Sequence, residues 1–173
     1  MHPRSRSAWR LGFASMGTFE EGRIALELTL AARMALAALL GFLVGLERES
    51  RGKSAGERTF AMVGLAASGF AGVAFTMFPE TAGQAVAGVA TGIGFLGIGI
   101  IWREEAGKQA QGLTTAASIL GVAAIGVLTG IGLYATAVLG AVLALLILEF
   151  DRMPVLSALH RRFTGRDDEG GGG

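Results

Sequence analysis

Two stretches of this 173-residue chain gather acid, base and hydroxyl side chains at close spacing. The first, ERESRGKSAGERT, carries Glu47, Arg48, Arg51, Arg58 and Thr59, and the second runs from Arg103 and Glu104 to Thr114 and Thr115. Carboxylates beside guanidinium groups form charge-assisted pairs. Threonine at a helix start caps free backbone N–H groups, and the helix N-terminus carries partial positive charge suited to an anion or carboxylate. The chemistry open to this set is docking of an ion, a regulator or a partner helix. Capping and interfacial ion pairing alone is the plainer alternative. A hydrated Mg²⁺ asks for one or two carboxylates. Glu47, Glu49, Glu104 and Glu105 could supply them here and Glu80 elsewhere, with neighbouring arginines offsetting the first set.

Other chemistries lack their parts. The chain has no cysteine, and its histidines, His2 and His160, sit in the terminal segments. No P-loop, metal-binding His cluster or nucleophile motif is present, so no catalytic residue, cofactor or metal is assigned. Gly92, Gly94 and Gly97 match G-x-G-x-x-G in form, but they lie in an uncharged apolar stretch without the acidic residue that a dinucleotide site needs about 20 positions on. A net charge of +1 excludes the basic field of a nucleic-acid binder.

The elements that must position these residues are membrane spans. Charged residues are 17% of the chain, against about 25% in soluble domains, and the mean hydropathy is +0.53. Apolar stretches run over residues 28–46, 60–78 and 84–102, near the roughly 20 residues that cross about 30 Å of hydrocarbon. Residues 113–148 are too long for one crossing, and TGIG at Thr129–Gly132 divides them into two. The expectation is an all-α membrane protein, a compact bundle of five transmembrane helices over residues 28–150. A polar segment, 1–27, precedes it, in which Met16 offers a shorter start. An amphipathic juxtamembrane segment and disordered tail, 151–173, follow.

Lysine and arginine are concentrated in the loop 47–58, the loop 103–112 and the tail. The positive-inside rule therefore places those loops and the C-terminus in the cytoplasm and the N-terminus outside. Four helix ends then meet at one surface: Glu47 and Arg48, Arg58 and Thr59, Arg103 and Glu104, Thr114 and Thr115.

Small residues recur within the spans. Gly41/Gly45, Ser68/Gly72, Gly88/Gly92 and Gly126/Gly130 are small-xxx-small pairs, and the segment GVATGIGFLGIGII adds Gly94, Gly97 and Gly99. Such residues let helix backbones approach closely in lipid, within a bundle or between copies in a homo-oligomer. A glycine-lined passage for a small solute is the other use. Arg33 is the one charge well inside a span. It either snorkels to the nearby outer interface or serves an internal role. Intramembrane carboxylates and histidines, the usual proton relay, are absent apart from Glu149 at a span edge.

Three blocks carry a family resemblance: GFLVGLERESRGKSAGERTFAMV (41–63), TGIGFLGIGIIWREEAGKQAQGLTTAAS (91–118) and AAIGVLTGIGLY (123–134). In order and spacing they resemble the MgtC/SapB family of bacterial inner-membrane proteins, from about Arg33 to Phe150. Ile98, Glu57 and Leu120 depart from its usual alanine, leucine and tryptophan. The resemblance implies a five-span domain in the inner membrane and a link to growth in low Mg²⁺ and to virulence. In some members it implies regulation of other membrane complexes, such as ATP synthase, rather than Mg²⁺ movement. The cytoplasmic C-terminal domain of larger members is expected to be missing. Residues and resemblance together lead to a non-enzymatic protein in the lipid bilayer that regulates another membrane complex through its cytoplasmic cluster. The alternative is a small Mg²⁺, cation or solute transporter with a glycine-lined path.

Overall fold

A computed structural model describes the backbone of residues 8–103 and 109–149, with side chains over 20–102 and 112–149. The described residues form five α-helices and no strand: α1 (Ala8–Ser50), α2 (Glu57–Met77), α3 (Ala82–Arg103), α4 (Gln109–Gly130) and α5 (Tyr134–Glu149). A 3₁₀ turn, Pro79–Thr81, joins α2 to α3. Four helical stretches are long and apolar enough to cross a membrane: Glu20–Ser50, Glu57–Met77, Pro79–Trp102 and Gly112–Gly130. The apolar α5 is shorter, at 16 residues. Large apolar side chains such as Phe95, Trp102 and Ile147 point outward. In water that would be a liability; against lipid tails it carries no penalty.

The division at TGIG is a helix stop of a recognisable kind. Gly132 adopts φ +90°. Its N–H donates to the Thr129 carbonyl at 3.0 Å, and the Leu133 N–H donates to the Leu128 carbonyl at 2.8 Å. This is the Schellman pattern, which needs a left-handed residue and so favours glycine. α1 ends in the same way at Gly52, with Lys53 N–H donating to the Arg48 carbonyl.

Helix α1 starts at Ala8 and is 43 residues long, so it runs through the polar stretch before Leu28 without a break. No proline interrupts it, and Arg23 pairs with Glu27 one turn on at 3.7 Å. The juxtamembrane segment 151–173 lies outside the described residues.

Small residues position the helices. α2 lies between α1 and α4, and α4 touches the four other helices. A Cβ on Gly45 would sit 2.5 Å from the Glu57 Cα, one on Gly41 would meet the Phe60 carbonyl, and one on Gly126 would sit 2.5 Å from the Gly64 carbonyl. Ser68 and Gly72 back onto Gly130 in the same manner. Phe60, Val44, Ile119 and Val122 fill the interior formed by this approach.

The glycines of α3 behave differently. Among the described residues, nothing lies within 4 Å of a Cβ built on Gly88, Gly92, Gly94 or Gly99, and Gly97 meets only the Ala116 methyl at 3.4 Å. Among the described residues, the expected close packing is therefore not made at Gly88, Gly92, Gly94 and Gly99, while Gly97 is buried against α4. Composition alone does not say which side of a helix faces a neighbour, and here Gly88, Gly92 and Gly99 share a face that is exposed.

Candidate functional site

The charged end of the bundle is built on the last turn of α1. The Schellman stop at Gly52 halts the helix just after Glu47, Arg48 and Arg51 have turned toward α4 and α5. Arg48 is 2% exposed. Its Nη2 donates to Thr115 Oγ1 of α4 over a long 3.4 Å, and its Nη1 lies 3.7 Å from Glu47 Oε2. Arg51 pairs with Glu47 through Nε and with Glu149 of α5 through Nη2 at 3.2 Å. Two acids and two bases thus tie α1 and α5 together, with α4 joined through Thr115. Charges taken out of water persist when paired, and removing one partner leaves the other uncompensated.

The next acid has a different task. The Glu57 N–H, at the start of α2, donates to Glu49 Oε2 at 3.3 Å. A carboxylate there meets the positive end of the helix dipole. Gly56 makes room for it, because a Cβ at that position would collide with Glu49 Oε2.

The expected cluster is redistributed. The Arg58 side chain is 95% exposed, turned away from Glu47 and Arg48, and its ion-pair contact is Glu57 at 3.8 Å. Its place in the network is taken by Arg51 and Glu149. Thr59 and Thr114 are exposed, whereas Thr115 is buried. Neither expected threonine cap is made. α2 begins at Glu57 behind Gly56, and α4 begins at Gln109, five residues before Thr114. Arg103 closes α3, but its side chain, like all of Glu104 and Glu105, lies outside the described residues. Glu80 is exposed at the opposite end, in the 3₁₀ turn.

Arg33 forms a second polar centre, remote from the first. Its Nη1 donates to the Gly130 carbonyl at 2.8 Å and its Nε to the Tyr134 hydroxyl at 3.0 Å. The guanidinium carbon stands 6.0 Å from the Tyr134 ring centre. Arg33 thereby fastens the turn between α4 and α5, at the end of those helices. Tyr134 was the residue that sequence reasoning passed over. Its position directly after the TGIG turn is the available signal.

The sequence profile of the MgtC family matches residues 34–154. The protein MgtC of Salmonella typhimurium is 42% identical over 109 residues, covering 63% of this chain and 46% of that protein. YhiD of Escherichia coli K12, named as a candidate magnesium transporter, is 38% identical over 126 residues, covering 68% of this chain and 58% of YhiD. SrpB of Synechococcus elongatus is 34% identical over 148 residues, covering 78% of this chain and 81% of SrpB. This chain thus spans about half the length of the Salmonella MgtC that it matches. No solved structure matches it. With five apolar helices and a family match over most of its length, this chain is a multi-pass membrane protein and belongs to the MgtC family.

Proposed function

We propose that this chain is a non-enzymatic inner-membrane protein, active in adaptation to Mg²⁺ limitation, that regulates another membrane complex through its charged end. The lysine and arginine distribution orients that end to the cytoplasm. The observation that carries the reading is the engagement of Glu47, Glu149 and Glu49 there. Glu47 is held by Arg48 and Arg51, Glu149 by Arg51, and Glu49 by the start of α2. The charge of Glu47 is spent within the fold and that of Glu149 is shared with Arg51, which makes both poor Mg²⁺ ligands. Among the described residues the end presents Arg58, Thr59 and Thr114 outward, with Glu49 and Ser50 exposed beside them at the end of α1.

Arg58→Glu combined with Thr114→Arg tests the docking surface, since both side chains are exposed. The variant is expected to insert normally and to lose co-purification with the partner complex from native membranes. Unchanged co-purification sinks the regulatory reading. Transport is the second reading, favoured by the name of the relative YhiD. It predicts a Mg²⁺-indicator signal from liposomes containing the purified protein. A signal no higher than in empty vesicles is expected.

A further inference from the structure

Between α2 and α3 runs a groove of about 810 Å³, open to the outside of the bundle. Its floor on α3 is Gly88 and Gly92, where, among the described residues, nothing stands within 4 Å of a built Cβ. Its walls, with Met62 and Phe70 on α2 and Leu96 on α3, are apolar and exposed. Its polar residues, Arg58 and Thr59, lie together at one end. We propose that this groove binds one anionic glycerophospholipid, with an acyl chain along the Gly88–Gly92 floor and the phosphate at Arg58 and Thr59.

Length, charge and shape each support this. From Arg58 to Phe70 the α2 wall advances 12 residues, about 18 Å at 1.5 Å per residue. One leaflet of a hydrocarbon core of about 30 Å is roughly 15 Å deep. The groove therefore reaches from a membrane surface to the midplane and matches one acyl chain of one leaflet. At the surface end Arg58 is 95% exposed, with the Glu57 carboxylate 3.8 Å away as a weak competitor. A guanidinium offers a planar fork of donors that suits phosphate, and the Thr59 hydroxyl can add one more. A helix from a second copy is the rival occupant. It fits less well, because the groove matches the depth of one leaflet, whereas a spanning helix needs the full hydrocarbon core of about 30 Å. The inference rests on this geometry and not on the regulatory reading.

The test is native mass spectrometry of the full chain in mild detergent, titrated with phosphatidylglycerol or with phosphatidylcholine of the same acyl chains. One phosphatidylglycerol is expected to be retained per chain, about tenfold more tightly than phosphatidylcholine, from charge-assisted pairing at Arg58. Arg58→Glu should erase that preference. Gly92→Leu should abolish retention of both lipids with helix content and unfolding temperature unchanged. Gly88→Leu repeats that arm should the first variant fold poorly. Equal retention of the two lipids, retention unaffected by both leucine variants, or displacement by inorganic phosphate alone would each overturn the proposal. So would a wild-type dimer that Gly92→Leu converts to a lipid-free monomer, which would assign the groove to a second copy.

Discussion

Arg33 and Gly130 meet at 2.8 Å, guanidinium to carbonyl, although 97 residues separate them in the chain. The acceptor is among the last carbonyls of α4, which no further turn of that helix can satisfy. A cation there also opposes the negative end of the helix dipole. The same side chain reaches Tyr134 at the first position of α5, so one guanidinium joins three helices at the turn.

Replacing Arg33 by lysine should lower the unfolding temperature in detergent. A single ammonium cannot reproduce the forked contact with both the carbonyl and the hydroxyl. Loss of one charge-assisted bond is worth about 1.5–3 kcal/mol. Tyr134→Phe should cost less, and the double variant should show coupling of about 0.5–3 kcal/mol in a thermal double-mutant cycle.

Gly132→Ala is expected to destabilise the same turn by about 1 kcal/mol or more, because φ +90° is unfavourable for a residue with a Cβ. Its Cβ would also stand 3.3 Å from Arg33 Nη2. Gly121→Ala provides the control, since nothing among the described residues lies within 4 Å of a Cβ there. Alanine in that helix interior should be neutral or stabilising in the same melt.

Arg48→Ala should cost about 3–5 kcal/mol, the loss seen when one member of a buried ion pair is removed. Glu47 would keep Arg51, which places the effect toward the lower end. Arg58→Ala should leave the melting temperature unchanged. The two arginines stand ten residues apart, one buried and one exposed, and thermal unfolding in the same detergent distinguishes them.

Gly45→Val should overpack the contact between α1 and α2, because its added carbons meet the Glu57 backbone and the Phe60 side chain. Overpacking costs about 1–3 kcal/mol where neighbours can move and more where the obstacle is backbone. Gly94→Val, on the open side of α3, should insert and melt as the parent does. Expression level and detergent melting read both variants.

The spans were legible because lipid demands a long uncharged run and leaves few other uses for one. The end of α4 was legible for a similar reason: TGIG supplies a glycine where a left-handed residue is required. The packing was only half legible. Gly41/Gly45 and Gly88/Gly92 are the same pattern in sequence, yet the first is closed by α2 and the second stands open to the groove. Spacing records that small residues share a helix face, not what the face meets.

Sequence by itself determined the membrane class, the helical content, the charged end and the family, all properties of local composition and order. Tertiary structure decided the pairings. It gave Arg48 a buried place beside Thr115 and turned Arg58 outward, and it drew Glu149 into the network through Arg51. It also brought Arg33 to the α4–α5 turn. A side chain's partners depend on which helix faces arrive beside it, and helix rotation is set by the summed packing of all neighbours rather than by any local run of residues.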